Sequence, residues 1–211
     1  MRTKALLLTA ALGLVGVAGV SAQSVYSVNA VGYVNRNFGT NFNLMSNPLN
    51  GTNNNLSTIL PILPDGAQIL TWNAALQSFN DANVYFEGFG WVPDAPLPPG
   101  QGAFLFMPSA ATVTFVGDVP QGNLTNSIPS NFSLISHIVP QSIGVEAAGL
   151  PSQDGDQILF WNQPAQQFAD ANVYFGGFGW VPSDPAPQVG EAFFYFNTST
   201  LRQWGRTFTV N

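Results

Sequence analysis

The sequence has no cysteine and very little charge. The absence of cysteine excludes disulfides, thiolate chemistry and cysteine-based metal sites. Charged residues make up 8% of the 211-residue chain, whereas about a quarter is usual in soluble domains. Hydrophobic residues nevertheless reach 45% and aromatic residues 13%, so the composition predicts a folded chain with a sizeable core rather than a disordered one.

Positive charge is scarce, and part of it lies at the start of the chain. Two of the five basic residues precede an uncharged apolar run, Ala5–Val20, which ends in the small-residue pattern VSA. This pattern is typical of a signal peptide cleaved before Gln23. A membrane anchor is the alternative, but the run is short for a span and no basic stop-transfer cluster follows. We therefore expect residues 1–22 to be a signal peptide and the protein to be secreted or cell-surface associated.

The remaining chain is strongly acidic. It contains three arginines, no lysine and eleven acidic residues, which gives a net charge of −8. Phosphate binding depends on clustered cations, so nucleic acid and anionic lipid are disfavoured as partners, and we expect no membrane span after signal cleavage. The polar surface comes instead from amides and hydroxyls, including twenty asparagines. Such a surface hydrogen-bonds well to hydroxyl-bearing partners or to copies of itself.

An internal repeat divides the chain. DANVYFEGFGWVP begins at Asp81 and recurs as DANVYFGGFGWVP at Asp170, with twelve of thirteen positions identical. NFNLMSNPL matches NFSLISHIV at an offset of 90 residues, while QILTWN matches QILFWN, and GQGAFLFMP matches VGEAFFYFN, at 89. The spacing predicts two β repeats of about ninety residues, 23–119 and 120–211.

Each unit has the pattern of a β structure. Short runs rich in Val, Ile, Phe, Tyr and Thr are separated by Gly, Pro, Asn and Asp. PDGAQ and QDGDQ are turn sequences, because Asp-Gly readily adopts the positive φ of tight turns. Helical turns are expected at Asn55–Leu60 and Ile143–Ala148, and the short connections favour antiparallel pairing. We predict an all-β fold of two tandem sandwich-like repeats, or one pseudo-symmetric sandwich built from both.

Similar strands precede, separate and follow the units: YSVN at Tyr26, TFVG at Thr114 and FTVN at Phe208. A terminal strand can complete the sheet of another molecule and so produce a head-to-tail array. The simpler alternative, which we favour, pairs the last strand with the first within one chain. Self-association through the terminal strands stays open.

The repeated aromatic stretch is the candidate binding site. If it forms one extended strand, alternate side chains share a face that carries a tyrosine, a phenylalanine and a tryptophan in each copy. Glu87 falls on that face, and a buried unpaired carboxylate is costly, which predicts that the face is exposed. Exposed rings can stack on sugars while neighbouring polar groups bind the hydroxyls. This hypothesis assigns ligand binding to Asp81, Asn83, Tyr85, Phe89, Trp91, Asp170, Asn172, Tyr174, Phe178 and Trp180.

A structural alternative explains the same stretch. Gly88 and Gly90 could break the strand into a hairpin or bulge, with Glu87 on the turn. The rings would then be buried, at roughly 150–250 Å² each, and form the core of the unit. We assign Trp72 and Trp161, which lie inside the QIL-x-WN strands, to the core.

Catalytic and metal-binding patterns are sparse. His137 is the single histidine, and an alternating strand pattern around it favours a structural role. No G-x-S-x-G elbow or phosphate-binding glycine loop occurs. The DGD sequence at Asp154 lacks the other ligands of an EF-hand and is better explained as a turn. Carboxylate pairs of the glycosidase type have no separation that the sequence specifies. We expect no enzymatic activity, no cofactor and no metal site.

The order WN…Q-x-F…G-W-x-P…G-x-x-F appears in the second unit as WNQPAQQF, GWVP and GEAF. It resembles the order in uncharacterised secreted β-repeat segments of environmental bacteria. The resemblance extends over Val25–Asn211 and implies an extracellular or envelope-associated module, with no activity attached.

Two functional hypotheses follow. The first is a secreted, non-enzymatic protein of extracellular adhesion or recognition that binds a polysaccharide or glycan through its duplicated aromatic patches. The second is a structural protein of the cell surface or matrix that self-associates through its β edges.

Overall fold

A computed structural model describes residues 30–210 of the chain. The expected signal peptide, the YSVN strand at Tyr26 and the last residue, Asn211, lie outside the described residues. Within them the fold is all-β and sandwich-like, with one short helix, α1 (Leu56–Ile59). No helix in this part of the chain is long and apolar enough to cross a membrane. The predicted helical turn at Asn55–Leu60 is confirmed as α1, whereas Ile143–Ala148 contains turns without a helix.

The first half of the fold contains eight antiparallel strands: β1 (Val31–Phe38), β2 (Asn41–Ser46), β3 (Gln68–Asn73), β4 (Ser78–Phe79), β5 (Asn83–Phe86), β6 (Gly90–Val92), β7 (Gly102–Met107) and β8 (Ala111–Asp118). β1 and β8 form a two-stranded ribbon. The other strands form a sheet in the order β2-β7-β3-β5-β6, and β4 pairs with the end of β3.

The second half contains nine strands: β9 (Gly122–Ile128), β10 (Asn131–Ile135), β11 (Gln157–Leu159), β12 (Trp161–Asn162), β13 (Gln167–Phe168), β14 (Asn172–Phe175), β15 (Gly179–Val181), β16 (Phe193–Asn197) and β17 (Arg202–Phe208). β9 and β17 form a ribbon, and the sheet order β10-β16-β11-β14-β15 is the counterpart of the first sheet. β12 and β13 pair beside that sheet as β3 and β4 do in the first half.

The strand register shows that one of the sequence-based matches, GQGAFLFMP with VGEAFFYFN, is shifted by one residue in the structure. Leu44 pairs with Phe104 in the first sheet, and Leu134 pairs with Phe194 in the second. Phe104 therefore corresponds to Phe194 at an offset of 90, not to Phe193 at 89. The correction matters because neighbouring residues of a strand point to opposite faces of the sheet.

Within residues 30–210, the first and last strands, β1 and β17, do not pair with each other. β1 pairs with β8, and β17 pairs with β9. The YSVN strand at Tyr26, the partner expected for the last strand, lies outside the described residues, so that pairing stays a prediction. Each ribbon strand leads almost directly into the sheet beneath it, so each half closes locally. Exchange of terminal strands between molecules stays a prediction.

Each ribbon covers one face of its own sheet and encloses a hydrophobic core. In the first half, Phe38 and Phe115 of the ribbon belong to the same buried cluster as Ile69 and Leu105 of the sheet. The second core has the same arrangement, with Trp204 of the ribbon and Phe193 and Tyr195 of the sheet. The opposite faces of the two sheets contribute to a third cluster, which joins the halves.

The two halves meet most closely at Gly102. A Cβ atom at this position would lie 2.7 Å from Cβ of Ala192 and 2.9 Å from Cγ of Leu134. Ala192 is the counterpart of Gly102 at an offset of 90 residues, so the contact lies where the two sheets face their own equivalents. Beyond it, Ser46 N donates to Gly190 O at 3.0 Å, and Ser136 N donates to Gly100 O at 3.0 Å. The bonds are reciprocal, which indicates pseudo-twofold symmetry.

Candidate functional site

The repeated aromatic stretch forms a hairpin in each half, not one continuous strand. In the first half a turn connects β5 to β6, with Gly88 and Gly90 at φ of 82° and 85°. Asp65 Oδ1 accepts a hydrogen bond from Glu87 N at 2.8 Å and holds the turn. The hairpin leaves the Glu87 side chain exposed. Of the two alternatives for this stretch, the hairpin forms and the single strand does not, and the turn keeps the Glu87 carboxylate in water while Tyr85 and Trp91 are buried.

Three of the six hairpin rings assigned to ligand binding are buried. Trp91 and Trp180 are each 5% exposed, and Tyr85 is 6% exposed. Tyr174 is half-buried against the second core. Trp91 Nε1 donates to Leu60 O at 2.9 Å, which ties the indole to the loop beneath it. These rings agree with the core alternative, and the shared exposed face does not form.

The other predicted binding residues are divided between solvent and interior. Phe89 and Phe178 lie at the hairpin tips and are 90% exposed. The polar members differ in exposure as follows: Asp81 and Asp170 are exposed, Asn172 is half-buried and Asn83 is buried. Asn83 Nδ2 faces Ile69 O at 3.4 Å. The ten residues thus do not form one surface, and ligand binding by the exposed ones stays a prediction.

A larger aromatic surface lies where the two sheets meet, on the faces turned away from the two cores. It lines an open cavity of about 620 Å³, which we call the aromatic groove. Five residues from each half line the groove, and all ten are aliphatic or aromatic: Phe42, Leu70, Trp72, Phe79, Phe104, Phe132, Leu159, Trp161, Phe168 and Phe194. The five pairs are related by offsets of 89 or 90 residues.

Strand alternation explains how the chain builds this surface. In β3, Ile69 points into the core, whereas Leu70 and Trp72 point into the groove. Phe79 of β4 lies directly across from Trp72 in the register of the two strands. Trp72 and Trp161 are half-buried walls of the groove, so their assignment to the core is corrected.

The rings interlock at the centre of the groove. Phe104 and Phe194 are nearly buried, with ring centroids 6.5 Å apart. Trp72 packs edge-on against Phe194 of the other half at 5.1 Å, and Trp161 packs against Phe104 at 5.0 Å. Edge-to-face pairs of this kind are favourable beyond the area they bury. The groove is therefore a surface that both halves build together.

The indole N–H groups and the glutamine amides beside the groove form hydrogen bonds between the two halves. Trp72 Nε1 donates to Phe132 O at 2.9 Å, and Trp161 Nε1 donates to Phe42 O at 2.9 Å. Gln77 bonds to both backbone groups of the same residue: its Nε2 donates to Phe132 O at 2.9 Å, and its Oε1 accepts from Phe132 N at 3.0 Å. Gln166 does the same with Phe42 at 3.0 and 2.9 Å. The groove thus presents ring faces and C–H groups.

Sequence reasoning missed this site, although its signal is in the repeated motif. The tryptophan of WN…Q-x-F is a groove wall, the glutamine bridges to the other half, and the phenylalanine is a second wall. Nothing in the motif by itself shows which residues face a partner surface, since that depends on how the two sheets pack.

His137 and Asp154, which sequence analysis considered for catalysis and metal binding, occupy structural positions. His137 is buried, its Nε2 lies 3.1 Å from Ile143 O, and burial is the main cause that lowers its pKa. Asp154 Oδ1 accepts from Gly176 N at 2.8 Å, which holds the second hairpin turn. Within residues 30–210, no group of three or more His, Asp or Glu side chains is placed to hold a metal ion.

The most buried charges form a cluster in the second half. Asp156 is fully buried and paired with Arg202, and Tyr195 Oη donates to Asp156 Oδ2 at 2.5 Å. Burial raises the pKa of Asp156, but hydrogen bonds, above all from Arg202 and Tyr195, outweigh it, and the pKa lies below its ordinary value. The corresponding positions in the first half are apolar: Ala67, Leu105 and Ala111. The cluster is therefore a local substitute for an apolar core.

Comparisons of the chain with protein-family models, with curated proteins and with solved structures found no match. The functional argument consequently rests on the geometry of the fold and of the groove, and the resemblance to secreted β-repeat segments stays a prediction.

Proposed function

We propose that the protein is an exported, non-enzymatic recognition protein that binds an apolar ligand in the aromatic groove. The groove itself supports this function: an open cavity of about 620 Å³ lined by ten apolar side chains. Small-molecule sites span about 300–1,000 Å³ and are mostly hydrophobic. Apolar surface left open to solvent on a soluble protein commonly marks an interaction site.

The proposal includes the organisation of the chain. After a signal peptide cleaved before Gln23, it consists of two sandwich-like repeats, 23–119 and 120–211. The equal strand orders of the two sheets support this division. Each repeat contributes half of the groove walls, so neither repeat alone forms the site. Duplication would then have a functional reason, because the second copy completes the site of the first.

The lining favours a hydrocarbon-like ligand over a sugar. The indole N–H groups of Trp72 and Trp161 are bonded to backbone carbonyls, and the side-chain amides of Gln77 and Gln166 also bridge the halves. A hydroxyl entering the groove would lose its water hydrogen bonds without replacement, which is costly. A hydrocarbon chain loses none, and the pseudo-symmetric walls offer it the same surface in either direction.

We expect the double variant Phe79→Gln plus Phe168→Gln to weaken binding of an apolar ligand about tenfold or more, because it places amides in the apolar groove. Both side chains are about 40% exposed, at 41% and 39%, so the fold should persist. Binding is measured by the emission of Nile red, with 1-dodecanol as competitor and circular dichroism as the check of folding.

The matched control is Phe89→Gln plus Phe178→Gln, the same two changes at exposed positions outside the groove. It should leave dye binding unchanged. Equal dye binding by the wild type and the groove variant, or loss of binding in the tip variant, would refute the groove as the site.

Self-association is the second candidate function, and the hairpin tips favour it. Phe89 and Phe178 are 90% exposed, and two apolar tips on one chain allow each molecule to contact two neighbours. Light scattering should then show a mass that rises with concentration, and Phe89→Gln plus Phe178→Gln should abolish the rise. The groove variant, Phe79→Gln plus Phe168→Gln, is the control here. The variant that tests one candidate function is thus the control for the other. A mass that stays monomeric at all concentrations would eliminate this candidate.

A further inference from the structure

We propose that the outer face of the β1–β8 ribbon is a second binding surface, for an uncharged polysaccharide. We call this surface the ribbon face and define it by eight residues: Val31, Tyr33, Asn35, Asn37, Thr112, Thr114, Val116 and Asp118. All eight are exposed. They alternate with inward residues such as Phe38 and Phe115, which belong to the first core, so the face is held on a fixed base.

Cross-strand hydrogen bonds orient the polar side chains of the ribbon face. Thr114 Oγ1 donates to Asn35 Oδ1 at 2.7 Å, and Thr112 Oγ1 donates to Asn37 Oδ1 at 2.6 Å. Because each amide oxygen accepts from a threonine, the Nδ2 groups stay available as donors, and neither has a hydrogen-bond partner in the described part of the chain. The two amides therefore have fixed orientations before any ligand arrives, which lowers the entropy cost of binding.

Tyr33 supplies the apolar part of the same face. Its side chain is 74% exposed, and it lies across from Val116 in the register of the ribbon. The π face of an aromatic ring is electronegative, and the C–H groups of a sugar ring pack favourably against such a face. A sugar has a C–H face and hydroxyl groups at its edge. The Tyr33 ring can pack against the C–H face while the oriented amides donate hydrogen bonds to the hydroxyls.

The negative charge of the ribbon face and of the whole chain favours an uncharged polymer as the ligand. Asp118, at one end, is the single charged residue of the ribbon face, and the whole chain has a net charge of −6. Phosphate and sulfate groups need nearby cations, and an acidic polymer is repelled by the field of the chain. A neutral polysaccharide needs no nearby cation and is not repelled by the acidic chain.

The second ribbon provides a comparison inside the same molecule. Its outer face has a similar ladder, in which Thr207 Oγ1 donates to Asn123 Oδ1 at 2.8 Å and Ser127 Oγ donates to Gln203 Oε1 at 2.9 Å. Asn123 occupies the position that corresponds to Tyr33, so this face has the polar ladder without the ring. The proposal assigns polysaccharide binding to the first ribbon.

The test is co-sedimentation of the full exported chain with insoluble cellulose, chitin and mannan, with polymer-free tubes as the control for self-association. We expect saturable binding to at least one of the three. Tyr33→Ala should weaken it about tenfold, because the stacking surface is lost, whereas Tyr33→Phe, which keeps the ring, should retain it. Asn123→Ala on the second ribbon is the matched control and should bind like the wild type.

Three outcomes would overturn the proposal: no sedimentation with any of the polymers, equal binding by Tyr33→Ala and the wild type, or equal weakening by Asn123→Ala. Loss of binding in the groove variant, with Tyr33→Ala unaffected, would place the polysaccharide in the groove instead. Nile red binding should be unchanged in Tyr33→Ala, so failure here and failure of the groove proposal can be told apart.

Discussion

Replacing Arg202 with methionine is expected to lower the free energy of unfolding by about 3–5 kcal/mol, because it leaves a buried carboxylate without its cation. Asp156 has no exposed surface. Arg202 Nη2 donates to Asp156 Oδ1 at 3.2 Å, and Nη1 donates to the other carboxylate oxygen and to Tyr195 Oη, the latter at 2.8 Å. Methionine fills part of the volume but cannot donate any of these hydrogen bonds.

The measurement is urea denaturation near neutral pH, and Arg36→Met is the control. Arg36 is half-buried on β1 and makes no ion pair within the described residues, so its replacement should cost much less. The double variant Asp156→Ala plus Arg202→Met should recover part of the loss, because it removes the unpaired charge. If Arg202→Met costs no more than Arg36→Met, the cluster does not stabilise the fold as argued.

The same cluster sets the sign of the pH dependence. The pKa of Asp156 in the folded chain lies below its ordinary value, so the unfolded chain takes up a proton first as the pH falls. The contribution of Asp156 to the stability of the fold is complete above about pH 4 and is lost as the pH falls through its lower pKa in the folded chain. His137, whose pKa is lowered by burial, acts with the same sign but from about pH 6.5 downwards. Acid should therefore destabilise the wild type through both groups, with the His137 effect beginning at the higher pH, as urea denaturation at a series of pH values would show.

Trp91→Ala is expected to cost about 3–5 kcal/mol, the usual loss for a large buried ring. The indole is 5% exposed, and Tyr85 packs against it edge-on at 5.6 Å. Phe89→Ala, two residues earlier in the same hairpin, should change stability by less than roughly 0.5 kcal/mol, because the ring is 90% exposed. Urea denaturation of both variants compares a core position with a surface position in one repeated motif.

The second repeat supplies a finer control. Trp91 Nε1 donates to Leu60 O, whereas the buried Nε1 of Trp180 has no acceptor within residues 30–210. Trp91→Phe should therefore cost about 1 kcal/mol more than Trp180→Phe, the usual net contribution of one hydrogen bond. Equal costs would contradict the hydrogen bond, and a folded, fully stable Trp91→Ala variant would contradict the burial itself.

The all-β class of the fold follows from the amino-acid sequence alone, because the relevant signals are local. Strand-forming runs, Asp-Gly turns and short connections specify antiparallel β structure through backbone preferences that each segment has on its own. The duplicated motifs also place equivalent strands about ninety residues apart, and the two sheets have the same strand order.

Which face of each strand is covered, and by which segment, depends on tertiary packing. Trp91 and Phe89 belong to one motif, yet the hairpin buries the first and exposes the second. Trp72 was expected in the core. The ribbon, however, covers the opposite face of its sheet, and the second half of the molecule packs beside Trp72 without burying it fully, so Trp72 lines the aromatic groove. Burial depends on contacts between segments far apart in the chain, and a local pattern of apolar residues is the same whether its partner is a ribbon, a second sheet or a ligand.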